Sequence, residues 1–123
     1  MDEISTGLRG VVSAVVGIED TAIALGSGDV EVLATPRIVA MVEAAAIAAL
    51  GDRLALTTTS VGTHIDLRHL APSPIGAVVT ASAEVSAVEQ RTITFSVEAH
   101  MADAVIAEGA HTRVVVRREG FGS

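Results

Sequence analysis

Few residues in this chain have chemistry to offer, and most of them lie in short apolar runs. The stretch THIDLRHLAPSPIG, residues 63–76, sets two histidines, an aspartate and an arginine in an alternating run that ends at two prolines. Strand side chains alternate between faces with a period of two. That period groups Val61, Thr63, Ile65, Leu67 and His69 on one face and His64, Asp66, Arg68 and Leu70 on the other. The first set is the apolar one, so His69 is expected to point inward and the second set toward water. Glu43 is the other anomaly. Its helix neighbours three and four residues away are Val39, Ala40, Ala46 and Ile47, all apolar. A carboxylate there must be ionised with a partner or protonated by desolvation. His69 is its natural partner if the strand crosses the helix at that point. An acid and an imidazole sharing a dry crevice favour a functional site that could move protons.

Thr35 precedes Pro36 and reads as a helix N-cap, where free N–H groups could also receive an oxyanion. Thr35 and Glu43 lie about 12 Å apart along a helix, so something must stand between them. Gly62, in SVGT, marks either a bulge or a close approach of ligand to backbone, with its N–H as donor. Arg113 follows His111 by two residues in GAHTRVVV and reads by default as part of a solvated edge face. His64 and His100 read as surface residues. No compact histidine and carboxylate spacing suggests a metal site.

These groups need a scaffold. Residues 8–16 read as a strand, and TAIALGSGDVEVLA as a less regular segment with a turn at GSGD. A helix follows over residues 36–50, stopped by Gly51. Four further strands are expected near residues 55–70, 76–89, 91–102 and 104–118. Residues 92–101 alternate cleanly, the mark of an antiparallel sheet with one wet face. One strand, one apolar helix and four strands predict an α+β hotdog fold, a curved antiparallel sheet wrapped around a central helix, as a single domain over residues 1–123.

Composition narrows the function. Half of the 123 residues are apolar but only two, Phe95 and Phe121, are aromatic, and so apolar a small chain is expected to hide surface in a homo-oligomer. The formal charge is −7 and all eight basic residues are arginine, which disfavours nucleic-acid binding. Without cysteine, disulfides and thiolate chemistry are excluded. The acidic N-terminal sequence shows no secretory signal, and the run IVAMVEAAAIAAL is too short to span a bilayer. A soluble cytoplasmic protein is expected.

The order and spacing of four pieces carry a resemblance: the Thr35-Pro36 helix start with Glu43 eight residues after the Thr, the SVGT element, the HLAPSPIG turn and the G-x-H-x-R strand. The runs GSGDVEVLATPRIVAMVEAAA, TTTSVGTHIDLRHLAPSPIGAVVTASAEV and EGAHTRVVV resemble the hotdog thioesterases, in particular the fluoroacetyl-coenzyme A thioesterase branch, over about residues 26 to 118. The resemblance implies that Thr35, Glu43 and His69 are catalytic, that the Gly62 N–H faces the thioester oxygen and that Arg113 lies near the site. It further implies an acyl-CoA substrate, no separate cofactor, and sites at the interface of a homodimer that could pair into a tetramer. In such a mechanism Glu43 is the nucleophile or the base that activates water, and His69 transfers a proton. That branch covers its site with an aromatic-containing lid, whereas GSGDVEVLA has no aromatic residue, so selectivity for a fluorinated acyl group is not carried over. An enoyl-CoA hydratase or dehydratase of the same fold is a rival, but its Asp-x4-His helix spacing is missing. A non-catalytic acyl-CoA-binding module is the other rival.

Overall fold

A sixteen-residue helix rich in alanine can lie closer to a sheet than one built of larger side chains, and this chain uses that freedom. The computed structural model describes residues 4–122; residues 1–3, which belong to the acidic N-terminal sequence, and residue 123 lie outside the described residues. The elements are β1 (Arg9–Val15), α1 (Ala22–Leu25), α2 (Thr35–Leu50), β2 (Thr58–His69), β3 (Val78–Glu89), β4 (Thr92–Met101) and β5 (Ala104–Arg117). All strand pairs are antiparallel, in the order β1-β3-β4-β5-β2, which leaves β1 and β2 at the sheet edges. The expected hotdog arrangement and each of its five strands are present.

The helix α2 lies mainly across β1 and β3. It buries Ile38, Met41, Val42, Ala45, Ala46, Ala49 and Leu50, which recur at the three- and four-residue spacing of one helix face. At Gly10 of β1 the approach is so close that a Cβ would run into the backbone of Ala45 and Ala49. Against this face the sheet presents Val79, Ala81, Ala83 and Val85 of β3 and Ile93, Phe95, Val97 and Ala99 of β4. Phe95 is the largest fully enclosed side chain, and burial of that kind contributes roughly 1.5–3 kcal/mol per large apolar residue. The sheet wraps one face of α2, and the opposite face stays open in the single chain. Ala44 and Ala48 are exposed, and Ile47 keeps 54% of its surface, because they lie on the face turned away from β1 and β3.

The segment before α2 is more ordered than its sequence suggests. A 3-10 turn at Ile18–Asp20 leads into α1, which is capped at its start by the Thr21 hydroxyl and at its end by Gly26 with φ of 69°. Asp20 anchors this segment. Its carboxylate accepts the Gly17 N–H at 2.8 Å and Arg37 Nε–H at 2.8 Å, and its carbonyl accepts the Ala34 N–H at 2.9 Å. Those donors hold the Asp20 carboxyl below its usual range, the Gly17 N–H most strongly, even though burial opposes the shift. Leu33 N–H donates to the Ser73 carbonyl, and Val32 bridges Pro74, so the start of α2 is fastened beside the turn that follows β2.

Candidate functional site

The residue that caps α2 is Ala34, not Thr35. Ala34 is extended, with φ −75° and ψ 143°, and its carbonyl accepts the Arg37 and Ile38 N–H groups. Thr35 is therefore the first helical residue and Pro36 the second, where a missing N–H does no harm. Because its hydroxyl is not used as a cap, it is free for another partner, which is His69 at the end of β2. Thr35 Oγ1 lies 2.7 Å from His69 Nδ1. The other ring nitrogen, Nε2, is buried and has no hydrogen-bond partner among the described residues. The ring borders a hollow of about 210 Å³ shared with Val32, Leu70, Ala71 and Pro72.

The inward direction of His69 agrees with the alternation of its strand, but only for half of β2. The β2–β5 register slips between Gly62 and His64. Gly62 pairs with Arg113, His64 pairs with Thr112, and Thr63 is the extra residue of a bulge. A one-residue slip moves every later side chain to the other face. Ile65, Leu67 and His69 are thereby paired with His111, Gly109 and Ala107, while before the bulge Ser60 and Gly62 are paired with Val115 and Arg113. Directly paired residues share a face, so Gly62 and His69 face the same side despite their odd spacing. Val61 and Thr63 do not belong with His69, contrary to the uninterrupted alternation.

Glu43 meets the strand at this bulge. A Cβ on Gly62 would overlap Glu43 Oε2, and it would lie 3.1 Å from His111 Cε1 and 3.4 Å from Arg113 Nη1. Arg113 Nη1 donates to Glu43 Oε2 at 3.2 Å, while its Nε and Nη2 donate to the Ser60 hydroxyl and carbonyl at 2.8 Å and 3.0 Å. Arg113 is 5% exposed and His111 1%. The solvated edge expected for this pair is thus replaced by burial, because the odd-numbered residues of β5 face inward. Glu43 keeps 38% of its side-chain surface in the single chain, so its expected burial is partial. With Val39, Gly62, Thr63, His64, Ile65 and His111 it lines a second hollow of about 180 Å³.

The sequence-derived site therefore falls into two halves. Thr35 and His69 form one, and Glu43, Gly62 and Arg113 form the other. The expected contact between Glu43 and His69 is not made within one chain. Eight helical residues, about 12 Å, separate Thr35 from Glu43, and seven strand residues, roughly 20 Å, separate Gly62 from His69. His111 and Ser60 were missed as site residues. The usable sequence signal for His111 is its two-residue spacing from Arg113, which puts both on one strand face. His64 is exposed, as expected, and His100 lies 3.1 Å from Glu98.

Comparison with known proteins identifies relatives over most of the chain. A family model described as fluoroacetyl-CoA-specific thioesterase matches residues 16–119. A fluoroacetyl-CoA thioesterase of Streptantibioticus cattleyicolor is 37% identical over 93 residues, which are 76% of this chain and 67% of that protein. A structure of the fluoroacetyl-CoA thioesterase FlK superposes with a TM-score of 0.88 at 32% identity, over 94% of this chain and 90% of that one. A variant of FlK solved with acetyl-CoA gives 0.90 at 31% identity, over 96% and 93%. A hypothetical protein of Thermus thermophilus, a thioesterase superfamily member, gives 0.88 at 25% identity, over 95% and 87%.

Proposed function

We propose that this chain, which belongs to the fluoroacetyl-CoA-specific thioesterase family, hydrolyses an acyl-CoA thioester with a small or medium acyl group to the free acid and coenzyme A. The observation that carries this reading is the 2.7 Å Thr35–His69 contact, which leaves a buried Nε2 without a partner among the described residues, beside a hollow. A ring held by one nitrogen, with the other free, is arranged to give or take a proton from a bound molecule. Glu43 supplies the nucleophile or the base that activates water, and Arg113 balances its charge. The Gly62 N–H, with the Thr35 hydroxyl, holds the developing oxyanion. Correct acid–base placement contributes about 10²–10⁴ in rate and one oxyanion donor about 10²–10³. Every group needed is a side chain or the backbone, so coenzyme A enters only as part of the substrate. The segment of residues 26–33 carries no aromatic residue, so preference for a fluorinated acyl group is not part of this reading.

A homodimer accounts for the separation of the two halves. The outer edge of β2 is unpaired within the sheet, and its residues 62–66 are exposed. Antiparallel pairing of two such edges about a centre between Ile65 and Asp66 would set Gly62 of one protomer beside His69 of the other. Glu43 of one chain would then serve the Thr35–His69 pair of its partner. A cytoplasmic location is part of the same proposal.

The test is a panel of acyl-CoA esters followed with a thiol-reactive dye. The protein has no cysteine, so colour reports only released coenzyme A. Thiol release that disappears in Glu43→Gln and in His69→Ala, and on dilution to monomer, is the expected result. Consumption of acyl-CoA without thiol would replace this reading with hydration. Ligand-induced stabilisation without consumption would replace it with a binding protein.

A further inference from the structure

His111 takes no part in the chemistry above, yet it is one of the most enclosed polar side chains in the molecule. Its contacts define its protonation state. The His64 carbonyl can only accept, so Nδ1, 2.8 Å from it, carries a proton. The Arg113 guanidinium can only donate, so Nε2, 3.1 Å from Nη1, must offer a lone pair. The ring is therefore neutral, with its proton on Nδ1. The 3.8 Å between Nε2 and Glu43 Oε2 is then no ion pair, and it is longer than the 3.2 Å from Arg113 to the same oxygen. Burial, first of all, pushes the His111 pKa down, and the Arg113 charge acts the same way, against the His64 carbonyl and Glu43. Phe95 lies against the ring at 6.1 Å between centroids and 25° between planes, which fixes its tilt.

Four of the five Arg113 N–H donors are thereby committed. Nε and Nη2 go to Ser60, and the two Nη1 protons are divided between His111 and Glu43. We propose that His111 is a positioning residue for Glu43: as a neutral acceptor it holds the Arg113 guanidinium, whose remaining Nη1 proton sets the Glu43 carboxylate beside Gly62. The proposal rests on reading Glu43 as the reacting carboxylate. Without an acceptor at position 111, a buried charged donor is left unpaired. The guanidinium turns to satisfy it, and the carboxylate moves with it. A shift of about 1 Å in a reacting group can cost about 10²-fold in rate.

Three substitutions separate this role from a purely structural one. In His111→Gln the amide oxygen can accept from Arg113; in His111→Asn the shorter side chain reaches only the His64 carbonyl; His111→Phe fills the space with neither function. Thiol release by the last two is expected to fall about tenfold or more in kcat, with KM changed less than about twofold, whereas His111→Gln stays within about threefold of the parent. An equal loss in His111→Gln and His111→Phe, or full kcat in His111→Phe, overturns the proposal. A measurement on the unaltered protein decides the matter even if the variants fail to fold. Nitrogen-15 NMR of the histidine rings near neutral pH is expected to show His111 protonated on Nδ1 and bare on Nε2. A proton on Nε2 overturns the proposal. If the parent protein releases no thiol from any ester, the thioesterase reading falls alone, because the tautomer still reports on the His111–Arg113 contact.

Discussion

Gly62→Ala is the most economical test of how closely Glu43 is held. The backbone at Gly62 is not in the left-handed region, so alanine meets no conformational barrier there. Its Cβ, however, would overlap Glu43 Oε2 and sit 3.1 Å from His111 Cε1 and 3.4 Å from Arg113 Nη1. The buried imidazole and the guanidinium tied to Ser60 cannot yield, so the carboxylate retreats by about 1 Å, the gap to an ordinary contact. A misplacement of that size is worth about 10²-fold in kcat, or about 2.7 kcal/mol of transition-state stabilisation. The moving group is the end of a flexible, partly exposed side chain, so stability should change by no more than about 1 kcal/mol. The assay is thiol release with saturating acyl-CoA, alongside thermal unfolding. If the loss acts through Glu43, Gly62→Ala combined with Glu43→Gln should be no slower than Glu43→Gln alone. Parent-level kcat in Gly62→Ala, or independent losses that multiply in the double variant, would refute the reasoning.

Two further perturbations address the other half of the site and the segment that positions it. Thr35→Val keeps the branched shape but removes the hydroxyl that holds His69, so kcat should fall about 10–10²-fold with unfolding unchanged, and Thr35→Ser should restore most of it; an active Thr35→Val would remove Thr35 from the mechanism. Asp20 has a depressed folded pKa, so its contribution is present above the ordinary carboxylate range of about 4 and is lost as pH falls through the folded value. The stability difference between the parent and Asp20→Asn, measured by denaturant titration, should therefore close on acidification, and a difference that persists in strong acid would contradict the anchoring role.

The sequence alone determined the element order, the strand limits to within a few residues and the helix that carries Glu43, because period-two and three-to-four spacing are local properties of the chain. It also singles out Glu43, Gly62 and His69 as anomalies against their neighbours, whereas Thr35 and Arg113 enter the site only through the family resemblance. Three features were not legible. Thr35 was read as a cap because its type and the following proline fit, but the Ala34 carbonyl takes the first helical bonds, and this depends on the Asp20 carbonyl that fixes the Ala34 N–H. Arg113 and His111 were read as solvated because their strand is apolar on both faces, and only the pairing with Gly62 and Ile65 shows which face is inward. The bulge at Thr63 is the deepest of these. It puts Gly62 and His69 on one side although their spacing forbids it in an unbroken strand, and it arises from the register of a partner nearly fifty residues away. Local spacing is written residue by residue, whereas register is a relation between distant segments, and only the folded sheet decides it.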